Sequence, residues 1–587
     1  MAIPQIITLA VVFFLILSLY KEWFNPSLSF FISAMILMLA NVITPQELLK
    51  GLSNQQIIII FLLMLVTAGM RMIYGDEFFV KLFSKSLSPK KFLLRMITVT
   101  ASISAFLNNT PIVAFMIPYV KDWADKTGNS SSKFLMPLSF ATILGGMITV
   151  IGTSTNLVLN GLVTEYGLPS LGFTDFLFLG IIVTIVGCAY LYFIAFKLLP
   201  DHKGNIDTVR QNLKEYIVET LVYRGSPLIG KTVRDAGLRS LRDTFLVEIL
   251  RDDDIISPVA PDEVLEEDDL LFFSGNTGSI YNLIREDNGL SIPKQDGMEK
   301  RGEFNFIEAV VSSGSDLIGV RIKETDFRNR FNASIVAIHR DGKRISGQVG
   351  EMHLAGGDFL LLLAGDQVIN TTGHKDLFFL SLPQKIISNK PWWTPWVGAI
   401  GFFILLLGIT GFIPLFTVCL ILLTAMVSLR VLTIVEIKRN LDLSLLVLLV
   451  CSLAIGIALE NSGTAQLIAH GLISTTKSIG PVGVVSALFI VTIILTSLIT
   501  NAAAVSIMFP IAMSMAQELQ LPYTPFFVAI AFAASGSFIT PVGYQTNLMI
   551  FGPGGYSFRD FAKVGGPLTF IYTIICITFI SIYYNLL

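Results

Sequence analysis

Charge is what this chain has least of: 14% of its 587 residues are Asp, Glu, Lys or Arg, where soluble domains carry about a quarter. The net charge is −2 and no basic run is interleaved with aromatics as a polyanion groove would need, so no nucleic-acid partner is expected. Cysteine is scarce as well. Cys188, Cys419, Cys451 and Cys576 each lie in an apolar run without CxxC or Cys/His spacing, which argues against a thiol metal or redox centre and for buried packing. No nucleophile–base pair, paired carboxylate or metal cluster can be placed, so enzymatic activity is not expected. The N-terminal run MAIPQIITLAVVFF has no preceding basic residue and no small-residue cleavage site, and reads as a first membrane helix, not a signal peptide. What is abundant is hydrocarbon: 53% of residues are hydrophobic and the mean hydropathy is +0.69. A polytopic α-helical protein of a plasma or bacterial inner membrane, surrounded by lipid, is expected.

The chain divides into thirds. Apolar runs near 5–20, 27–43, 54–74, 92–120, 133–165 and 172–199 are followed by a charged stretch near 205–385, with RDDD at 251–254 and EEDD at 266–269. Apolar runs then return near 394–410, 412–429, 440–459, 482–512, 523–555 and 564–585. Crossing about 30 Å of hydrocarbon takes roughly 17–25 such residues. The two apolar thirds also match each other. SAFLNNTPIVAFMIP, 104–118, overlies TSLITNAAAVSIMFP, 496–510, at an offset of 392, and GTSTNL, 152–157, overlies GYQTNL, 543–548, at 391. Two polar, Gly/Pro-interrupted motifs recurring in one order indicate an internal repeat.

If 92–120 and 482–512 are re-entrant hairpins, each repeat crosses five times and the odd number inverts the second. Lys81, Lys85, Lys90, Lys91 and Arg95 precede the first hairpin, whereas residues 463–480 before the second carry only Lys477. Arg430, Lys438, Arg439, Arg559 and Lys563 fall on the side that this predicts to be cytoplasmic. The positive-inside rule then puts the charged middle in the cytoplasm and both termini outside. Asn108-Asn109-Thr110 before Pro111 reads as a break in a helix, tolerated at membrane depth only where backbone is buried in protein or lines a wet cavity. Such tips, with Gly152 to Asn156 and Pro541 to Gln545, supply helix N-termini for an anion and free oxygens for a small cation. The plain alternative is that small and polar residues glue helices together. Glu460 reads as a snorkelling helix end and Asp442 as a helix cap.

These motifs resemble the divalent anion:sodium symporter family of the ion transporter superfamily, across both apolar thirds. The resemblance implies one sodium site at Ser104, Asn108, Asn109 and Gly152, and a second at Thr496, Thr500, Asn501 and Gly543. It implies a small anion between them at Asn109, Thr110, Ser154, Asn501, Ala502, Tyr544 and Gln545. It also implies an elevator-type motion of hairpins and broken helices against a dimer scaffold near 5–43 and 394–429. Asn108 and Thr500 stand where the family has serine, and Ala502 where it has threonine. The missing hydroxyl tilts the expectation from a dicarboxylate towards sulfate. No Asp, Lys or Arg falls in the four motifs, so sodium coupling is expected ahead of a proton relay. A sodium/proton or arsenite-type oxyanion antiporter of the same superfamily is the alternative. A potassium pathway is a third reading, without a TVGYG-like filter to support it.

The charged middle repeats too: SPLIGKTVRDAGLRSL…DDLLFFSG at 226–275 matches SDLIGVRIKETDFRNRF…GDFLLLLAG at 315–365. Each copy reads as strand, basic amphipathic helix, alternating strand, turn and closing strand, and the pair is similar to TrkA-C modules. That resemblance implies a homodimer, and either a small regulatory ligand such as a cyclic dinucleotide or a purely structural cap. No strand-GxGxxG unit is present; GNTGS at 275–279 lacks the spacing, so no dinucleotide cofactor is expected. The domain organisation is read as 1–204 first membrane repeat, 205–295 and 296–388 TrkA-C-like modules, and 389–587 second membrane repeat.

Overall fold

The computed structural model describes residues 2–21, 23–53, 55–82, 88–201, 217–238, 244–252, 254–256, 259–275, 289–291, 306–312, 315–331, 333–340, 343–345, 349–364, 376–379, 394–409, 412–433, 436–437, 443–541 and 543–586. The chain forms two compact units: residues 1–201, 387–550 and 556–587 make the first, and 202–386 with 551–555 the second.

The first unit is helical. Its N-terminal half contains α1 (Ile3–Tyr20), α2 (Pro26–Leu39), α3 (Pro45–Leu49), α4 (Gln55–Leu82), α5 (Pro89–Ser104), α6 (Asn109–Thr127), α7 (Ser132–Gly146), α8 (Ser154–Glu165) and α9 (Phe173–Tyr190). The chain continues past α9 through a π turn, Leu191–Ala195. Its C-terminal half contains α10 (Thr394–Ile409), α11 (Leu415–Ser428), α12 (Leu443–Asn461), α13 (Thr464–Thr476), α14 (Pro481–Thr496), α15 (Asn501–Glu518), α16 (Tyr523–Ser535), α17 (Gln545–Phe551) and α18 (Phe558–Tyr583). Local chemistry sets several starts. Proline opens α2, α3, α5 and α14, where a missing N–H costs nothing. The Asn25 side chain accepts the Leu28 N–H, and the Ser557/Asp560 pair forms a reciprocal cap on α18.

Among the described residues, four helical runs are long and apolar enough to cross a membrane: Ile3–Tyr20, Pro45–Met70, Phe173–Leu198 and Phe558–Tyr583. Four of the remaining apolar runs are broken. The run at 92–120 is split between α5 and α6, 133–165 between α7 and α8, 482–512 between α14 and α15, and 523–555 between α16 and α17. The approach to the second hairpin, residues 463–480, is itself largely helical. Residues 464–476 form α13, bent by 71° from α12; Gly463, at φ 73°, takes the left-handed turn between them. Asp442 lies outside the described residues.

Packing follows the repeat. α5 lies on α7 as α14 lies on α16, and α6 meets α7 as α15 meets α16. A Cβ on Gly145 would overlap the Ala101 backbone, so α5 and α7 touch closely enough for carbonyl groups to turn towards neighbouring side chains. α15 also packs on α8, joining the halves around the broken segments.

The second unit is built on two antiparallel sheets. The strands are β1 (Ile217–Val222), β2 (Thr244–Arg251), β3 (Asp254–Ile256), β4 (Leu270–Gly275), β5 (Leu290–Ser291), β6 (Phe306–Val311), β7 (Ala333–Arg340), β8 (Lys343–Arg344), β9 (Phe359–Ala364) and β10 (Leu377–Phe379). The orders are β3-β2-β4-β1-β5 and β8-β7-β9-β6-β10, the same arrangement in each copy. Even the bulge recurs, between Leu246 and Glu248 and between Ile335 and Ala337. Alternate residues of each sheet fill its own core, with Leu246, Ile249 and Phe273 in the first and Ile335, Ile338 and Leu362 in the second. The opposite faces share one cluster: Val247, Leu250, Leu270 and Phe272 pack with Val336, Ala337, Leu361 and Leu363. The amphipathic helix expected in each copy is described in the second only, where it is shorter than its pattern. In the second it is the five-residue Phe327–Phe331; in the first, residues 233–238 are turns and 239–243 lie outside the described residues.

Candidate functional site

The breaks between paired helices gather the polar motifs. Asn109 and Asn501 are the first residues of α6 and α15, where backbone N–H groups have no partner inside the helix. Both side chains turn into the protein, at 1% and 8% exposure. Around them the same contacts recur at the offset of the repeat. Ser104 Oγ bonds Asn109 and donates to Thr142 O at 2.8 Å. Thr496 Oγ1 lies 2.8 Å from Asn501 Oδ1 and 2.7 Å from Ala534 O. Thr149 Oγ1 reaches Ala105 O at 2.5 Å, as Thr540 Oγ1 reaches Ser497 O at 2.9 Å. Asn156 Nδ2 holds Thr149 O at 3.1 Å and Asn547 Nδ2 holds Thr540 O at 3.4 Å.

With the asparagine oxygen turned inward, each cluster has more acceptors than protons. The single hydroxyl proton of Thr496 faces both Asn501 Oδ1 and Ala534 O, and that of Ser104 faces both Asn109 Oδ1 and Thr142 O. With the amide turned the other way, Asn501 Nδ2 donates to Gly543 O and Thr496 Oγ1 at 2.8 Å and to Ala534 O at 3.1 Å. Asn109 Nδ2, turned likewise, donates to Ser104 Oγ, to Thr142 O at 3.1 Å and to Gly152 O at 3.3 Å, while its oxygen accepts from Tyr544 at 2.5 Å. The chemistry is the same in both: a nest of hydroxyl, carbonyl and amide oxygens that needs either amide protons or a cation at its centre. Hard, oxygen-only donors suit an alkali or alkaline-earth ion and not a thiophilic one.

The two halves also meet across the break. Tyr544 bonds Asn109 at 2.5 Å and Thr153 at 3.0 Å, and Thr110 Oγ1 lies 3.2 Å from Gln545 Oε1. Ser139 Oγ reaches Thr546 Oγ1 at 2.9 Å and Asn547 Oδ1 at 2.7 Å. The structure therefore brings together Ser104, Asn109, Thr110, Gly152, Tyr544 and Gln545, and separately Thr496, Asn501 and Gly543. Asn108 and Thr500 make local contacts: Asn108 Oδ1 accepts the Thr110 N–H at 3.3 Å, and Thr500 Oγ1 caps α15 by accepting from Ala503 at 3.4 Å. Ser154 opens α8 and Ala502 is the second residue of α15, both half-buried. Sequence reasoning missed Ser139, Thr149 and Thr540, and the carbonyls of Thr142 and Ala534. Thr149 and Thr540 stand at the repeat offset of 391, which could have found them; carbonyl groups have no sequence signal.

Broken apolar helices converging on paired oxygen nests define a polytopic membrane transporter. The sequence model of the citrate transporter family matches residues 12–520 and 406–587, and the chain belongs to that family. A cyanobacterial relative from Synechocystis sp., described as an uncharacterized transporter, is 33% identical over 97% of this chain and 95% of its own. A Chlamydomonas reinhardtii protein, provisionally named a sulfur deprivation response regulator, is 32% identical over 94% of this chain and 97% of its own. Sodium/sulfate cotransporter 1 of the same alga is 23% identical over 96% of this chain and 88% of its own.

Proposed function

We propose that this protein is a sodium-coupled symporter of a small divalent anion, with sulfate ahead of a dicarboxylate, in the divalent anion:sodium branch of the ion transporter superfamily. The observation that carries this reading is the pair of nests of hydroxyl, carbonyl and amide groups around Asn109 and Asn501, with the same contacts recurring at the repeat offset. A buried ion costs several kcal/mol or so to desolvate, and neutral hydroxyls and amides offset only part of that. A divalent anion needs cations beside it. One sodium would be held at Ser104, Asn108, Asn109 and Gly152 and the other at Thr496, Thr500, Asn501 and Gly543, with the Thr142 and Ala534 carbonyls added. The anion would lie between them, against Asn109, Thr110, Ser154, Asn501, Ala502, Tyr544 and Gln545. The name of the algal sodium/sulfate cotransporter supports the same pairing of ion and anion.

The proposed architecture has residues 1–204 and 389–587 as inverted repeats with extracytoplasmic termini, and 205–295 and 296–388 as cytoplasmic TrkA-C-like modules. Support comes from the constant offset of the hydrogen bonds and the shared strand order of the two sheets. In a homodimer, the site-bearing helices would move elevator-fashion against α1, α2, α10 and α11, under the influence of a small regulatory ligand at the modules.

The test is uptake into proteoliposomes of sulfate, succinate, citrate, phosphate and arsenite, with and without a sodium gradient. Sulfate should accumulate only with the gradient, and Asn109→Ala or Asn501→Ala should raise the half-saturating sodium concentration by roughly ten-fold, the equivalent of one lost hydrogen-bond-sized interaction. Sodium-independent uptake, or sodium moving against protons, would overturn the reading in favour of the antiporter.

A further inference from the structure

The two oxygen nests differ in what packs beside the asparagine. Gly146 packs directly on the first: a Cβ there would lie 2.5 Å from Asn109 Oδ1 and 3.1 Å from Gly152 O. The residue in the same place in the second half, at the repeat offset of 391, is Ser537. Its side chain is fully buried, and its Oγ lies 3.5 Å from Thr496 O. It also occupies the space against Gly543 that a Cβ would need, so glycine at 543 is what admits the hydroxyl. The Ser537 carbonyl is tied down by Asn547 Nδ2 at 2.9 Å, which holds the residue in place. At 3.5 Å the bond to Thr496 O is long, and Ser537 Oγ retains lone pairs beside Gly543, whose carbonyl belongs to the second nest.

We propose that Ser537 adds a hydroxyl ligand to the second nest, and that this nest therefore binds its cation more tightly and fills before the first. The inference rests on the sodium-coupled reading above. Hard cations bind more strongly as oxygen ligands are added and as the cage is stiffened, and the first nest cannot gain the same ligand because the Asn109 amide already fills the space at Gly146. Sodium would accordingly act in two steps, with a low-concentration step at Ser537 and Asn501 preparing the tip of α15 before the anion and second cation arrive.

Sodium-dependent thermal stabilisation of the purified full-length protein, titrated against choline, tests this alongside sulfate uptake. Wild-type protein should stabilise in two phases. Ser537→Ala should move the lower phase to roughly ten-fold higher sodium and leave the upper phase in place, Ser537→Thr should keep the wild-type titration, and uptake by Ser537→Ala should recover at saturating sodium. A wild-type protein that sodium stabilises, with a lower phase unchanged in Ser537→Ala, overturns the Ser537 assignment while leaving sodium coupling intact. A wild-type protein indifferent to sodium in both assays overturns the assignment together with the reading beneath it.

Discussion

Asn109 and Asn501 are placed by the chain's own logic. Each is the first residue of a helix that follows a break, and each finds a hydroxyl five residues upstream, at Ser104 and Thr496. The α5–α6 and α14–α15 turns bring that spacing back on itself, so two residues close in sequence face one nest of oxygens. Tyr544 shows what the repeat adds when it is imperfect. The equivalent position in the first half is Thr153, and the two hydroxyls bond each other at 3.0 Å across the site. Replacing Tyr544 by Phe keeps the ring and removes both polar contacts, leaving a buried amide short of a partner at a cost of roughly 1–3 kcal/mol. Sulfate affinity should fall by about ten-fold or more with little change in the size-exclusion profile of the protein; unaltered affinity in a counterflow assay would remove Tyr544 from the anion site.

The strands of the second unit make the same point at the scale of elements. The bulge in β2 and β7 leaves Arg251 and Arg340 at equivalent ends, each on a buried carboxylate. Arg251 Nε and Nη2 reach Asp269 at 2.9 and 3.0 Å, and Arg340 makes 2.7 Å bonds to Asp358. Each arginine also closes a loop, by donating to Val264 O at 2.7 Å or His353 O at 2.9 Å. Hydrogen bonding to Asp269 pushes the Arg251 guanidinium above its usual pKa, so the arginine stays charged at any physiological pH. Asp269 is fully buried while a fifth of the Arg251 side chain reaches solvent. Arg251→Ala therefore strands a carboxylate and should cost roughly 3 kcal/mol, whereas Asp269→Ala leaves a guanidinium that can turn to water or to Glu263 and Glu266 and should cost less. Hydrogen exchange across β2 and β4 in the full-length protein is the measurement, with the larger loss of protection expected in Arg251→Ala.

For the whole molecule, the helices fall into two kinds with different work to do. The uninterrupted spans include α1 and α18, while α5–α8 and α14–α17 come in broken pairs that hold the oxygen nests. Cysteine crosslinks that tie a broken pair to α2 or α11 should abolish sulfate counterflow and spare binding; undiminished counterflow in fully crosslinked protein would exclude the elevator motion. The four polar motifs hold no carboxylate and no histidine, and sulfate does not titrate near neutrality. Uptake at saturating sodium should accordingly be flat across roughly pH 6 to 8, the range in which a histidine-based relay would titrate. A steep pH profile would point to the antiporter.

Membrane residence, the positions of the breaks and the place of Asn109 and Asn501 beside them were legible in the sequence, because hydropathy and a Gly/Pro-interrupted repeat are local, periodic signals. The doubled strand pattern of residues 226–275 and 315–365 was legible for the same reason. The short helix of the second sheet copy was not, since its amphipathic pattern outlasts the segment that the sheet has room to cover. Nor were the oxygen nests. They are made largely of the Thr142, Gly152, Ala534 and Gly543 carbonyls, groups that every residue owns, and only the close approach of α5 to α7 and of α14 to α16 aims them at one point. Ser537 belongs to the same class: one serine among many along the chain, set apart by the glycine that folding places against it.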